Sequence, residues 1–121
     1  MTWQSKTKNN QNEFTLLTEY TIMSDNFLDN QNRAKILGLQ EGVQVAPGAV
    51  IRLNDNSSIG TNAFIGLYSY INGQVTIGEN VLIGPHCCIT SNNHAFNPET
   101  QSFIGKNKGA PIHIGNGSWL A

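Results

Sequence analysis

The chain has 121 residues, a formal net charge of −1 and 12% charged side chains, which suits one small domain and gives no electrostatic basis for binding nucleic acid or an anionic membrane. No stretch is long and apolar enough to span a bilayer, and the start Met1-Thr2-Trp3-Gln4-Ser5-Lys6 lacks the apolar run of a secretion signal, so a soluble cytoplasmic protein is expected. The two cysteines, Cys87 and Cys88, are adjacent. On an extended strand they point opposite ways, and they lack the spacing of a redox motif or a zinc site, so both are expected as reduced packing thiols.

In chain order, residues 1–37 carry no repeat and read as an N-terminal arm with a short helix. Residues 1–12 read as a flexible arm. Leu16, Tyr20, Met23 and Phe27 are spaced as one helical face, and Ser24 or Asp25 is placed to cap a helix that ends before Gly38. Residues 38–121 read differently. Leu39, Val45 and Ile51 recur every sixth position, with Val43 and Ala49 four places after the first two. The step from Ile51 to Ile59 is eight, so two residues within Leu53-Asn54-Asp55-Asn56-Ser57-Ser58 are expected to bulge at a corner. The period of six then runs unbroken through Ile59, Ile65, Ile71, Ile77, Ile83 and Ile89. Gly60, Gly66, Gly78 and Gly84 follow four of these, and Ala63, Ser69, Val75, Val81 and Cys87 stand four places after five of them.

A period of six fits neither a 3.6-residue helix nor a hairpin with its turn. It fits a short strand and a tight corner repeated around a prism, three units making a coil of roughly eighteen residues stacked on the next by parallel pairing. An all-β fold, a parallel β-helix, is the expectation. Aliphatic side chains fill its interior, the small residues sit where interior space runs out, and Gly or Asn takes the corner dihedrals. Such a repeat alone leaves function open, a non-catalytic scaffold included.

The repeat is interrupted once at length, over residues 90–113, a stretch rich in Asn and Gly. It restarts at Ile114-Gly115-Asn116-Gly117-Ser118-Trp119, and Leu120 opens the next unit. A loop this long in a small fold is usually functional, and it contains His94.

Residues 59–121 resemble the left-handed β-helix acetyltransferases of the hexapeptide-repeat family, in particular the galactoside, maltose, capsule and lipopolysaccharide O-acetyltransferases. Val75-Thr76-Ile77-Gly78-Glu79-Asn80-Val81-Leu82-Ile83-Gly84-Pro85 resembles the stretch before that family's catalytic loop. Ile89-Thr90-Ser91-Asn92-Asn93-His94 places a histidine five residues after the last interior aliphatic, and Pro111-Ile112-His113-Ile114-Gly115-Asn116-Gly117-Ser118-Trp119 resembles the return into the coil. The resemblance implies left-handed coiling, against the usual right-handed crossover. It implies acetyl-CoA as donor, a carbohydrate hydroxyl as acceptor, and a homotrimer in which His94 faces an adjacent chain. His94 is then the general base, since an alcohol is a weak nucleophile until its proton is being removed and imidazole titrates near ~6.5.

Tyr68 and Tyr70 lie where the family's acceptor pocket sits, with Asn92 and Asn93 as further candidates for sugar hydroxyls or for shaping the turn. Trp119 and Gly117 fall on the coenzyme side, Trp119 pointing outward after the interior-facing Ser118. Galactoside-type members carry an acceptor-binding Asn where this chain has Gly66, a departure from their pattern. Three histidines (His86, His94 and His113) raise the metal site of γ-type carbonic anhydrases, but their spacing does not resemble it and no metal is expected. N-acetylation of an amino sugar or sugar nucleotide is the alternative within enzymes. Family members continue for several coils beyond the point matching Ala121, so the sequence reads as a fragment of a longer enzyme or a shortened one of open competence.

Overall fold

The computed structural model describes residues 24–121, with the backbone alone for 106 and 107. The expected arm over 1–12 and the positions Leu16, Tyr20 and Met23 lie outside the described residues. Among the described residues, one helix, α1 (Phe27–Ile36), precedes the strands. Its cap is Asn26, not Ser24 or Asp25. Asn26 is extended (φ −139, ψ 166), and its Oδ1 accepts from the Asp29 N–H at 2.9 Å while its Nδ2 donates to Asp29 Oδ2 at 2.7 Å. This reciprocal arrangement satisfies an orphan N–H of the first turn. Asp25 instead accepts from Asn30 Nδ2 at 2.9 Å. The helix stops at Leu37, and Gly38 follows in the left-handed region at φ 71, the usual glycine exit.

Phe27, the member of the expected helical face that falls within the described residues, is 62% exposed at the start of α1. Ala34 and Arg33 are the residues that α1 turns to the core. Arg33 is completely buried; its Nη1 donates to Asn30 Oδ1 at 2.5 Å and to the Val45 carbonyl at 3.2 Å, and its Nη2 donates to the Ser24 carbonyl and hydroxyl. Burial lowers the Arg33 pKa, while Asp29 and Asp25 act the other way. A guanidinium thus ties the helix to the first coil by its geometry, satisfied by several acceptors as a buried charge must be.

Twelve strands follow. β1 (Gln44–Val45), β4 (Phe64–Ile65), β7 (Leu82–Ile83) and β12 (Trp119–Leu120) stack as one parallel sheet; β2 (Val50–Leu53), β5 (Tyr70–Gly73) and β8 (Cys88–Thr90) form a second; β3 (Ser58–Ile59), β6 (Val75–Ile77) and β11 (Ile112–Ile114) form a third. The chain visits these three faces in turn. Phe64 pairs with Leu82 and Tyr70 with Cys88, eighteen residues on in each case. Three hexapeptides therefore close one coil, as the period required. The step from second to third face is six positions in the first coil (Arg52 to Ser58), four in the second (Asn72 to Thr76) and 23 in the third (Thr90 to His113). The two extra residues expected between Ile51 and Ile59 are thus located at that corner.

The interior is the aliphatic column read from the sequence. Ile59, Ile65, Ile71, Ile77, Ile83 and Ile89 are all buried, as are Ala63, Ser69, Val75 and Val81. Ala34 of α1 and partly buried Leu37 and Leu39 close the column at its first coil. Cys87 packs against the core and Cys88 is exposed, both free. Ser69, buried among apolar side chains, donates to the Gly84 carbonyl at 2.8 Å and accepts from the Cys87 N–H at 3.1 Å, so its hydroxyl bridges two coils.

The glycines after the aliphatics serve a different purpose from the expected one. Gly60 and Gly66 do not hold the left-handed corner dihedrals; they let the next coil approach. A Cβ on Gly60 would lie 2.5 Å from the Gly78 carbonyl carbon, and one on Gly66 2.6 Å from that of Gly84. The left-handed positions come two residues later: Asn62 (φ 59), Tyr68 (φ 55), Asn80 (φ 57) and His86 (φ 56), in columns with Gly42, Gly48 and Gly117. Asn was expected there, Tyr and His were not. Their strain is offset by corner hydrogen bonds between coils, Tyr68 N–H to the Pro47 carbonyl at 3.1 Å and His86 N–H to that of Leu67 at 2.7 Å.

Gly66→Ala should therefore cost about 1–3 kcal/mol through backbone displacement. Gly105→Ala, which meets nothing within 4 Å, should stay within about 0.5 kcal/mol of the parent. Paired thermal melts of the two variants provide the check.

Candidate active site

The 23-position step after Thr90 is not an irregular loop, as its Asn- and Gly-rich composition suggested. It is a hairpin of β9 (His94–Asn97) and β10 (Ser102–Asn107), antiparallel, with Phe96 opposite Phe103 and His94 opposite Asn107. The Asn97 side chain accepts from the Glu99 N–H at 2.9 Å and Gln101 turns the chain at φ 52, which makes the tip. Phe96 and Phe103 meet edge-to-face with ring centroids 5.2 Å apart, both largely exposed.

Three features fasten the hairpin root to the coil. The Ser91 hydroxyl accepts from the Gln74 N–H of the coil below at 2.7 Å. The Ser91 carbonyl accepts from the Ala110 N–H at 3.1 Å, and the Asn93 carbonyl from the Lys108 N–H at 2.7 Å. Gly109 passes so close that a Cβ there would sit 2.2 Å from the Ser91 carbonyl oxygen. The outgoing and returning strands are thereby clamped, and an open cleft of about 660 Å³ forms between them.

The cleft is walled by Thr90, Ser91, Asn92, Asn93 and His94 on one side and by Lys108, Gly109, Ala110 and Ile112 on the other, with Ala95 and Phe96 beyond. His94 is exposed, and its N–H is held by the Asn93 side-chain oxygen at 2.9 Å. Thr90 Oγ1 accepts from the Asn92 N–H at 3.3 Å. An accessible imidazole thus stands among hydroxyls and amides, the partners that suit a polyhydroxylated ligand.

Of the residues singled out in the sequence, Asn92, Asn93 and His94 share this cleft. The other four do not line it. Tyr68 is at the corner between first and second faces, 57% exposed, its ring stacked on His86 at 5.4 Å with 16° between planes. A Cβ on Gly48 would lie 2.2 Å from the Tyr68 ring, so the glycine makes room for it. Tyr70 is on the second face between Val50 and Cys88. Trp119 is 73% exposed on the first face beside Leu82, and Gly117 is at the preceding corner with φ 72. Gly66 has no room for the Asn of galactoside-type enzymes, since its place is taken by the Gly84 backbone. Among the described residues, no three or more His, Cys, Asp or Glu gather to hold a metal, and no helix is long and apolar enough to cross a membrane. Lys108, Gly109 and Ala110 were missed. Only Gly109, one residue before the Ala110-Pro111 return, carried a sequence signal of close approach.

The stacked hexapeptide coils, broken by one hairpin that builds a histidine-bearing cleft, define a parallel β-helix of the hexapeptide-repeat type. Residues 56–91 match the family model described as bacterial transferase hexapeptide (six repeats). The chain carries the hexapeptide repeat of that family, and its coil is a left-handed parallel β-helix. It is 38% identical over 93 residues to nodulation protein L of Rhizobium meliloti (strain 1021), covering 69% of this chain and 50% of the relative. It is 34% identical over 105 residues to nodulation protein L of Rhizobium leguminosarum bv. viciae, covering 80% and 55%. The chain therefore spans about half the length of the curated relatives it matches. No solved structure gives a significant match.

Gly109→Ala should unseat the hairpin root without unfolding the coil. Amide exchange is expected to accelerate across residues 91–110 while Ile65, Ile71 and Ile83 keep their protection; uniform acceleration would contradict the clamp.

Proposed function

We propose that the protein transfers an acetyl group from acetyl-CoA to a hydroxyl of a sugar or polysaccharide precursor in the cytoplasm, with His94 as general base. One observation carries this reading: in a chain of the transferase hexapeptide family, the one long break in the coil presents an exposed imidazole in a cleft walled by Thr90, Ser91, Asn92 and Asn93. The neutral imidazole takes the acceptor hydroxyl proton as the oxygen attacks the thioester carbonyl. The C–O bond forms, the C–S bond breaks, and the proton passes from the imidazolium to the departing thiolate. Negative charge on the carbonyl oxygen during this exchange needs N–H or hydroxyl donors. Thr90 Oγ1 and the Asn92 and Asn93 amides are the donors at hand.

Tyr68, Tyr70, Trp119 and Gly117 enter the reading through a second copy of the chain. They lie on other faces and corners from His94. A homotrimer would bring the acceptor-side tyrosines and the coenzyme-side Trp119 and Gly117 of one subunit toward the His94 cleft of its neighbour.

The test is acetyl-CoA turnover, followed as free thiol, with hydroxyl and amino sugars as acceptors. His94→Ala should lower turnover roughly 10²–10⁴-fold and leave the melting temperature nearly unchanged, because the side chain is exposed. Full turnover in that variant would remove His94 from the mechanism. Turnover with amino sugars alone would replace O-acetylation by N-acetylation, and thiol release with neither class would leave a scaffold.

A further inference from the structure

Lys108 is a cleft residue that the reading above does not use. It lines the same cavity as His94 and Asn93. Its backbone N–H is fixed to the Asn93 carbonyl at 2.7 Å, so it stands across the hairpin root from the residue that precedes the proposed base. Gly109, pressed against the Ser91 carbonyl, holds the lysine's position in the chain from the other side. No Asp or Glu lines the cleft, and Glu99, the acidic residue of the hairpin, is at its tip. Apart from His94, Lys108 is the ionisable group in the cavity wall.

A lysine in a wall otherwise made of hydroxyl-bearing, amide-bearing and apolar residues, with no carboxylate among them, is suited to a ligand that brings the carboxylate itself. We infer that Lys108 selects an acceptor carrying a negative charge, of the uronic acid class, over a neutral sugar of the same shape. This rests on the proposal that the cleft binds a carbohydrate acceptor. Lys108 here sets specificity: it pairs with a charge on the acceptor and takes no part in moving the hydroxyl proton. The stem is exposed, so the pairing is partly screened and its effect is moderate.

Binding of D-galactose and D-galacturonate to the full chain, without acetyl-CoA, tests the inference by amide shift titration of residues 90–95 and 108–112. Galacturonate should bind at least about fivefold more tightly, a preference that shrinks as salt is raised. Lys108→Met should abolish the preference by weakening galacturonate far more than galactose, whereas Lys108→Arg should retain it. Equal affinities in the parent would overturn the inference, as would a Lys108→Met variant that weakens both sugars alike. So would no shift with either sugar. Turnover is scored separately. A chain that discriminates charge but transfers no acetyl group removes the proposed reaction and keeps the binding preference, while a chain that acetylates sugars but binds the two equally does the reverse.

Discussion

Everything in this molecule depends on the spacing between stacked coils. Parallel strands pair about 4.8 Å apart, so each residue lies directly over its equivalent one coil below, and its environment is set by that neighbour. The interior isoleucines pack because the residues above and below them are also aliphatic, isoleucine at most levels with Val45 below Ile65 and Leu120 above Ile83. Gly60 and Gly66 are required because the next coil's backbone fills the space a Cβ would take. The corner residues share a hand because Asn80 bonds to Thr61 and Asn62 to Glu41 in one repeated pattern. A change of length is tolerated only where the chain can leave the stack and re-enter it in register.

The corner between the second and third faces is that place. It takes two extra residues in the first coil, a left-handed Gly73 (φ 99) in the second and the hairpin in the third. Hydroxyls keep the register across these unequal lengths. Ser57 Oγ donates to the Gly73 carbonyl and accepts from the Val75 N–H, and Ser91 repeats the acceptor role for Gln74 one coil up. A side chain on Gly73 would fall 2.1 Å from Ser91 Oγ, so the base of the hairpin rests directly on a corner with no side chain. The cleft is held at its root: Ser91 ties the outgoing strand to the coil below, and the Ala110 and Lys108 N–H groups tie the returning strand to the Ser91 and Asn93 carbonyls.

The coil was legible because its physics repeats. Six isoleucines in register outweigh any local propensity, and an eight-residue step in an otherwise sixfold pattern locates its own bulge. His94 with Asn92 and Asn93 was legible because they follow Ile89 closely along the chain. Residues brought together by the hairpin's return were not, since the pairing of Asn93 with Lys108 depends on where the strand turns at Asn97 and Gln101. Asn- and Gly-rich composition hid that strand pair. The Asn26 cap was missed in favour of Ser24 and Asp25 because all three residues are good caps, and only the Asp29 partner three places on discriminates among them. Tyr68 and His86 at left-handed corners ran against propensity, and their ring stack explains how the position accommodates both.

The placement of the candidates also bears on what one copy of the chain can do. Around three faces, the corner that carries the hairpin lies opposite the first face, and Trp119 is on that first face in the outward column with Leu82 and Phe64. Side chains leaving that column point away from the cleft. If Trp119 borders the donor and His94 serves the acceptor, the two act together only across a contact between copies, because the coil cannot bend to join them without losing its register. Self-association is therefore part of the same proposal as the reaction, not separate from it. Among the described residues, the first face exposes Leu82 and Trp119 and the hairpin exposes the Phe96–Phe103 pair, two apolar surfaces on opposite sides of the coil.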